Sequence, residues 1–476
     1  MSMEAGLQDR VTRRAGLRPA VGIVHLGLGA FFRAHGAIYV AEAMAASGGD
    51  WGILAASLQS AGMRDRLAPQ GFAYTALEAG PKGDTAQIVD VIENILVAPE
   101  DPAALLAAMA DPAVRIVSLT VTEKGYCHLP ASGALNFDHP DIVQDLANPL
   151  PRSAIGYLVR ALALRRQAGV APFTLLSCDN LPHNGAVLRG VVLQFARALD
   201  ADLADWIAQN ARFPATMVDR IVPATKPEDL DRVARLTGLS DAAPVIHEPF
   251  RQWVIEDDFV GGARPDFAAV GVQMVRHVAP FELMKLRMLN GTHSALAYLG
   301  YLAGFETISD TVANPDFAAF AQLLWAEITP VLTPPQGVEL QAYAAALLAR
   351  YQNPAIRHRC WQIAMDGSQK LPQRILGTMA EAKGDCPGLA LAVAGWMRYV
   401  SGRDEAGAAI EVKDPMAAAL HLAANSADPV GALLAQRAVF SAAQAAQIDP
   451  ILRRSYAQLH RLGARTAVTQ TLTRNS

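Results

Sequence analysis

A chain of 476 residues is too long for one ordinary hydrophobic core, so two domains are the first expectation. With 51% hydrophobic residues, 18% charged residues and a formal net charge of −4, it reads as a globular protein with a large interior and without the basic excess of a nucleic-acid binder. Its four cysteines, Cys127, Cys178, Cys360 and Cys386, show no C-x-x-C spacing, which argues against a structural zinc site and a disulfide framework and suits a reducing compartment.

The segment up to Pro19 is polar and lacks the apolar stretch of a secretory signal. No run of about 18 apolar residues suggests a membrane span, so a cytoplasmic protein without membrane or nucleic-acid partners is expected. Its partner is expected to be a small-molecule substrate, and the chain a monomer or weak oligomer.

In chain order, Val21–Leu26 is a short apolar run rich in β-branched residues. Gly27 and Gly29 follow, then a helical pattern over 34–46 and a second strand over 51–58. A hairpin-like stretch, 72–78 with 87–97, is expected to extend the same sheet. Runs at 115–121 and 173–178 also read as strands, each followed after a loop or turn by a helical pattern. Strands spaced by helices predict βαβ units and a mostly parallel sheet, hence an α/β protein. Beyond about residue 280 the strand signals fade, and 280–305, 316–328, 340–351 and 386–399 carry helical periodicity. A boundary near 278–285 divides a dinucleotide-binding domain over 1–280 from a mainly α-helical catalytic domain over 281–476.

Three constellations bear chemistry. Gly27-Leu28-Gly29 closes the first strand, where glycines let a backbone approach a pyrophosphate. Phe32 stands where the third glycine of the usual fingerprint would be, and a plain strand-to-helix turn is the alternative. No carboxylate follows the second strand to hold a ribose; Ser57-Leu58-Gln59-Ser60 leads to Arg64, so the choice between NAD and NADP stays open. Second, Lys285, Asn290 and His293 project at about 0°, 140° and 80° around one helix, with Gly291 allowing close approach. A lysine serving as a base must have its pKa lowered by burial or by a neighbouring cation, and Arg287 with the apolar residues around it offers both. A surface lysine, a capping asparagine and a core histidine would be the plainer account. Third, Ser177-Cys178-Asp179-Asn180-Leu181-Pro182-His183-Asn184-Gly185 follows a strand, where parallel sheets place ligands; Asn180 can donate to an oxyanion, and an Asx turn is the alternative. Tyr-x-x-x-Lys, zinc-ligand spacing, G-x-S-x-G and Walker motifs are all absent.

His25-Leu-Gly-Leu-Gly-Ala-Phe-Phe-Arg-Ala-His35, Thr122-Glu-Lys-Gly-Tyr126, the Ser177–Gly185 loop and Lys285-x4-Asn290-x2-His293 occur in this order. Together they resemble the long-chain polyol dehydrogenase (mannitol dehydrogenase) family, from about residue 20 to about residue 460. The resemblance implies a Rossmann-type N-terminal domain, a mainly α-helical C-terminal domain, catalysis in the cleft between them, and NAD as cofactor, with NADP not excluded and no metal. It implies Lys285 as general acid/base, Asn180 and Asn290 as oxyanion amides, His293 as a substrate contact and Glu282 as a proton relay. Gly27, Gly29, Phe31, Arg33, Thr122, Glu123 and Asp219 become candidate cofactor contacts. The segment from Trp361 to Arg374 is similar to the branch that interconverts D-mannonate and D-fructuronate, with Gln362 where polyol enzymes carry arginine. Arg357, Arg359, Lys370 and Arg374 form the densest basic cluster, suited to a hexuronate carboxylate, and Lys370, Arg374 and Arg359 are candidate substrate contacts. A solvated basic face is the plain alternative. A mannitol 2-dehydrogenase and an inactive nucleotide-binding sensor are the rival functions.

Overall fold

The computed structural model describes residues 9–16, 18–129 and 132–474. The chain divides into two compact units between Ala279 and Pro280. The first unit carries β1 (Val21–Leu26), β2 (Gly52–Ser57), β3 (Tyr74–Gly80), β4 (Gly83–Val89), β5 (Ile92–Val97), β6 (Ile116–Leu119), β7 (Thr174–Ser177), β8 (Thr216–Asp219), β9 (Val245–His247), β10 (Gln252–Glu256) and β11 (Gln273–Val275).

Alternation along the strands fixes the layers of this unit. Val24, Leu26, Leu54, Ala56, Val117, Leu119 and Leu175 share one apolar cluster, whereas Ile23, Ile53, Ala55, Ile116 and Leu176 belong to another. Successive strand residues face opposite sides, so strands apolar on both faces have to be covered on both. The resulting five-stranded sheet has the order β5-β2-β1-β6-β7, every neighbouring pair parallel. Helices α1 (Ala30–Ala34) and α2 (Gly36–Ser47) leave the first glycine turn, and α2 supplies Ala37, Ile38, Tyr39 and Val40 to the second cluster. The first cluster is closed by α3 (Pro102–Ala110), α4 (Ala154–Gln167) and α5 (Asn184–Leu199). This is the Rossmann-type arrangement expected for an α/β chain.

Two details differ from the sequence expectation. The helix read as continuous over 34–46 is broken at His35 (φ −133, ψ −84), where the imidazole Nε2 meets the Gln252 carbonyl at 3.0 Å. The hairpin does not extend the main sheet: β3 pairs antiparallel with β4 and parallel with β9, in a separate three-stranded sheet, and only β5 joins the main one. That pairing joins Ala76 to Val245, far apart along the chain, and no local pattern announces it.

The second unit is helical: α6 (Ala279–Met284), α7 (Thr292–Leu302), α8 (Pro315–Ile328), α9 (Leu340–Tyr351), α10 (Pro387–Tyr399) and α11 (Ala442–Thr473), with shorter helices between them. α10 is apolar on all sides and buried from Gly388 to Met397, which makes it the central post. Its first turn is held by Glu327, whose carboxylate accepts Gly388 N and Leu389 N, both at 2.8 Å. No helix among the described residues is long and apolar enough to cross a membrane.

Candidate active site

In the first unit the strand order reverses direction between β1 and β6, the place where open α/β sheets take ligands. The chain leaves β1 through Gly27, whose φ is +93 and where a Cβ would lie 2.2 Å from the Thr120 carbonyl oxygen; only glycine fits. Gly29 has the opposite environment. A Cβ there would meet no atom within 4 Å, so a bulky group can approach the backbone on that side. The turn is tied down from beneath. Thr120 Oγ1 donates to Gly27 O at 2.7 Å, so the His25 ring donates to Thr120 from Nε2 (2.9 Å) and accepts from Ser118 Oγ at Nδ1 (2.9 Å). Burial holds the His25 pKa down to about 3 and keeps the ring neutral. Phe32 fills the place of the third glycine by stacking on His25, ring centres 3.3 Å apart.

Thr122, after β6, has φ +65, a strained value for a residue with a side chain. Asp179 holds it there: its carboxylate accepts Val121 N at 3.1 Å, Thr122 N at 2.8 Å and the Tyr126 hydroxyl at 2.8 Å. Burial raises the Asp179 pKa, and the Tyr126 hydrogen bond opposes the rise. Asn184 opens α5 and joins the next strand, donating to Asp179 O at 3.1 Å and Thr216 O at 2.9 Å and accepting Thr216 N at 3.0 Å. Asp179 and Asn184 therefore fasten the loops after β6 and β7 to β8, with Asn180 exposed between them. Sequence reasoning quoted both residues and gave neither a role. Asp219 ends β8 and is buried. Its neighbour Arg220 donates to Ala34 O at 2.7 Å and Glu248 O at 3.1 Å.

Phe31 lies at the rim of the glycine turn, stacked on His35, and Glu123 is exposed in the turn after Thr122. Arg33 is placed differently from the cofactor contact expected of it. It is buried, its Nη1 donates to Ala243 O at 2.5 Å, and its guanidinium sits 5.2 Å from the Tyr74 ring centre, inside the unit. Arg64 is also engaged, by Glu100 and Asp65.

In the second unit α6 carries Glu282 and runs into a π-helical turn, Lys285–Gly291, which continues as α7. The angular spacing computed for a regular helix fails here. Hydrogen bonds of a π-helix close i→i+5, so Lys285 and Asn290, five apart, stand one turn apart rather than about 140° around the axis. Lys285 is 7% exposed, and Met284, Met288 and Leu289 around it belong to the apolar core. Arg287 does not supply the unmatched positive charge expected beside it, because both guanidinium Nη atoms donate to Glu381, at 2.7 and 2.5 Å.

His293 is buried, with its ring 4.8 Å from that of His358 and 5.4 Å from that of Tyr351. Burial, then His358 and Arg374, push its pKa far below the ordinary value, leaving a neutral ring able to meet a hydroxyl. Arg374 Nη1 donates to Ser294 Oγ at 3.0 Å and to Asn290 O at 3.4 Å; its Nε and Nη2 bond to no described residue. Lys370 donates to Met365 O at 2.6 Å, and burial with Arg374 nearby lowers its pKa to about 8. The basic cluster is therefore split. Lys370 and Arg374 gather near His293, while Arg357 and Arg359 are exposed and both reach Glu306, at 3.1 and 3.4 Å. His358 and Tyr351 were missed. His358 sits between the two arginines and was absorbed into a run of charge. Among the described residues no group of three or more His, Cys, Asp and Glu is arranged to hold a metal ion.

Two family profiles match the chain: the mannitol dehydrogenase Rossmann domain over residues 21–268 and the mannitol dehydrogenase C-terminal domain over 277–459. The chain is 50% identical over 461 residues to D-mannonate oxidoreductase of Escherichia coli (strain K12), covering 94% of each chain. It is 44% identical over 407 residues to mannitol 2-dehydrogenase of Pyrenophora tritici-repentis, covering 83% of this chain and 72% of that one. The structure of Pseudomonas fluorescens mannitol 2-dehydrogenase in ternary complex with NAD and D-mannitol superposes with a TM-score of 0.84 at 36% identity, over 99% of this chain and 97% of that one.

Proposed function

The chain belongs to the mannitol dehydrogenase family of oxidoreductases, and from that premise we propose that it interconverts D-mannonate and D-fructuronate with NAD(H). Arg374 carries this reading. Two of its guanidinium nitrogens, Nε and Nη2, make no hydrogen bond to a described residue, and they form the planar fork that suits a carboxylate. Lys370, with its pKa lowered to about 8, adds a second cation that is present at neutral pH. A neutral polyol has no group that needs both. The 50% identity to a D-mannonate oxidoreductase supports the same choice.

The residues of the glycine turn fit a dinucleotide. Gly27 makes the turn, the open side of Gly29 admits a pyrophosphate, and Phe31, Thr122, Glu123 and Asp219 are the proposed contacts around it. Arg64, the first cation after β2, is occupied by Glu100 and Asp65, which favours NAD over NADP. A bound NAD would supply the acceptor for the hydride that leaves the carbinol carbon. Lys285 takes the hydroxyl proton, and Glu282, one turn before it, passes that proton on. The Asn290 amide donates to the oxygen as charge develops on it, and Asn180 is proposed as a further amide donor. His293 meets a neighbouring substrate hydroxyl, and Arg374 and Lys370 hold the carboxylate.

A panel of initial rates tests the assignment: mannonate, fructuronate, mannitol, fructose and arabitol, each with both cofactors. Fructuronate and mannonate should dominate with NAD(H). Equal kcat/KM for fructose and fructuronate would make it a mannitol-type dehydrogenase, the second reading that the fungal and pseudomonad relatives favour. No change in NADH absorbance with any substrate would leave a nucleotide-binding sensor.

A further inference from the structure

We infer that Trp325 and Tyr351 are positioning residues that hold the π-helical turn open and so set Lys285 against Asn290; the inference rests on the proposed role of Lys285. Three consecutive carbonyls of that turn each accept a side-chain donor from a different element. Met288 O takes the Trp325 indole N–H at 3.0 Å, Leu289 O takes the Tyr351 hydroxyl at 2.8 Å, and Asn290 O takes Arg374 Nη1 at 3.4 Å. Trp325 comes from α8 and Tyr351 from α9, and both are 4% exposed. Their rings stack at 6.4 Å and 19°, so they act as one buried pair.

A π-helical turn is rare, and a regular ladder is its ready alternative. Relaxing 285–291 into that ladder would rotate its carbonyls and withdraw the acceptors that the Trp325 indole N–H and the Tyr351 hydroxyl now use. An unpartnered buried donor is costly, so the pair selects the open turn. Gly291 makes the same arrangement possible on another side. A Cβ there would lie 2.7 Å from the Arg374 carbonyl, where a second π-helical turn, Pro372–Leu376, crosses the first. Tyr351 also lies against His293, so one side chain touches both the carbonyl that shapes the turn and a proposed substrate contact.

Trp325→Phe and Tyr351→Phe remove the donors and keep the aromatic packing. With whichever substrate of the panel turns over, each variant should lose roughly three- to tenfold in kcat, the equivalent of one net hydrogen bond. KM for NAD should hold steady, the pH dependence of kcat should shift, and amide exchange over 289–295 should quicken. Lys285→Ala, run beside them, separates the two ideas. If it keeps wild-type turnover, the base assignment fails. If it is inactive while both phenylalanine variants match wild type in kcat, pH profile and exchange, the positioning role is overturned and the base assignment stands. A drop in melting temperature with wild-type kcat and pH profile would likewise overturn it, reducing the pair to core packing.

Discussion

Replacing Arg374 with methionine isolates the carboxylate contact. In the folded protein Nη1 is spent on Ser294 and Asn290, whereas Nε and Nη2 face no described acceptor. A hexuronate carboxylate bound across that fork would gain two charge-assisted hydrogen bonds, each worth about 1.5–3 kcal/mol. At about 1.4 kcal/mol per factor of ten, the pair sets a preference of roughly 10²- to 10⁴-fold for fructuronate over fructose. Methionine keeps the apolar stem and loses the fork. It also breaks the Ser294 bond, but that loss weighs equally on both sugars and cancels in the ratio. The assay is kcat/KM for NADH-dependent reduction of both sugars, by wild type and Arg374→Met. The expected result is a ratio of ratios of about 10² or more, fructuronate losing far more than fructose. If both substrates lose the same factor, Arg374 only braces the turn at Asn290 and the carboxylate argument is wrong.

Lys285→Ala should cut turnover by roughly 10²–10⁴-fold while dinucleotide affinity, measured by fluorescence titration, is kept; retention of more than about a tenth of wild-type kcat would refute the base assignment. The lysine 370 ammonium is charged below about pH 8 and neutral above it, so its pull on a carboxylate is present at neutral pH and fades on the alkaline side. KM for fructuronate should therefore climb through pH 8 while that for fructose does not, and Lys370→Met should abolish the climb; parallel profiles for the two sugars would count against it. Activity should survive EDTA, and a loss restored by zinc alone would require a metal site that the present assignment lacks.

The parts of the fold governed by local rules were legible in the sequence. Val21–Leu26 shows as an apolar run and Leu340–Tyr351 as a helical periodicity, each carried by a few neighbouring residues, and Gly27 and Gly29 directly follow the first strand. What escaped depends on distant partners. Arg33 was a candidate cofactor contact beside the turn, but its acceptor is the Ala243 carbonyl. Arg359 looked like a neighbour of Arg374 until Glu306 was found beside it. The π-helical turn left no trace either. Helical periodicity is read from a contrast between buried apolar and exposed polar residues, and between Met284 and Leu289 the two polar residues, Lys285 and Arg287, are themselves buried, so no change of pitch would show.

That turn also makes chain length at one point a determinant of activity, independent of side-chain chemistry. A π-helical turn is a helix with one residue more than its regular ladder requires. Removing one residue between Lys285 and Asn290, Leu286 for example, would close the regular ladder again and take the Met288, Leu289 and Asn290 carbonyls away from Trp325, Tyr351 and Arg374. Lys285 and Asn290 would both survive as residues, four apart and about 40° around the axis, but the turn that the surrounding side chains grip would be gone. An insertion or deletion here would thus strike catalysis while every named side chain is retained, a kind of loss that residue-by-residue comparison of sequences would pass over.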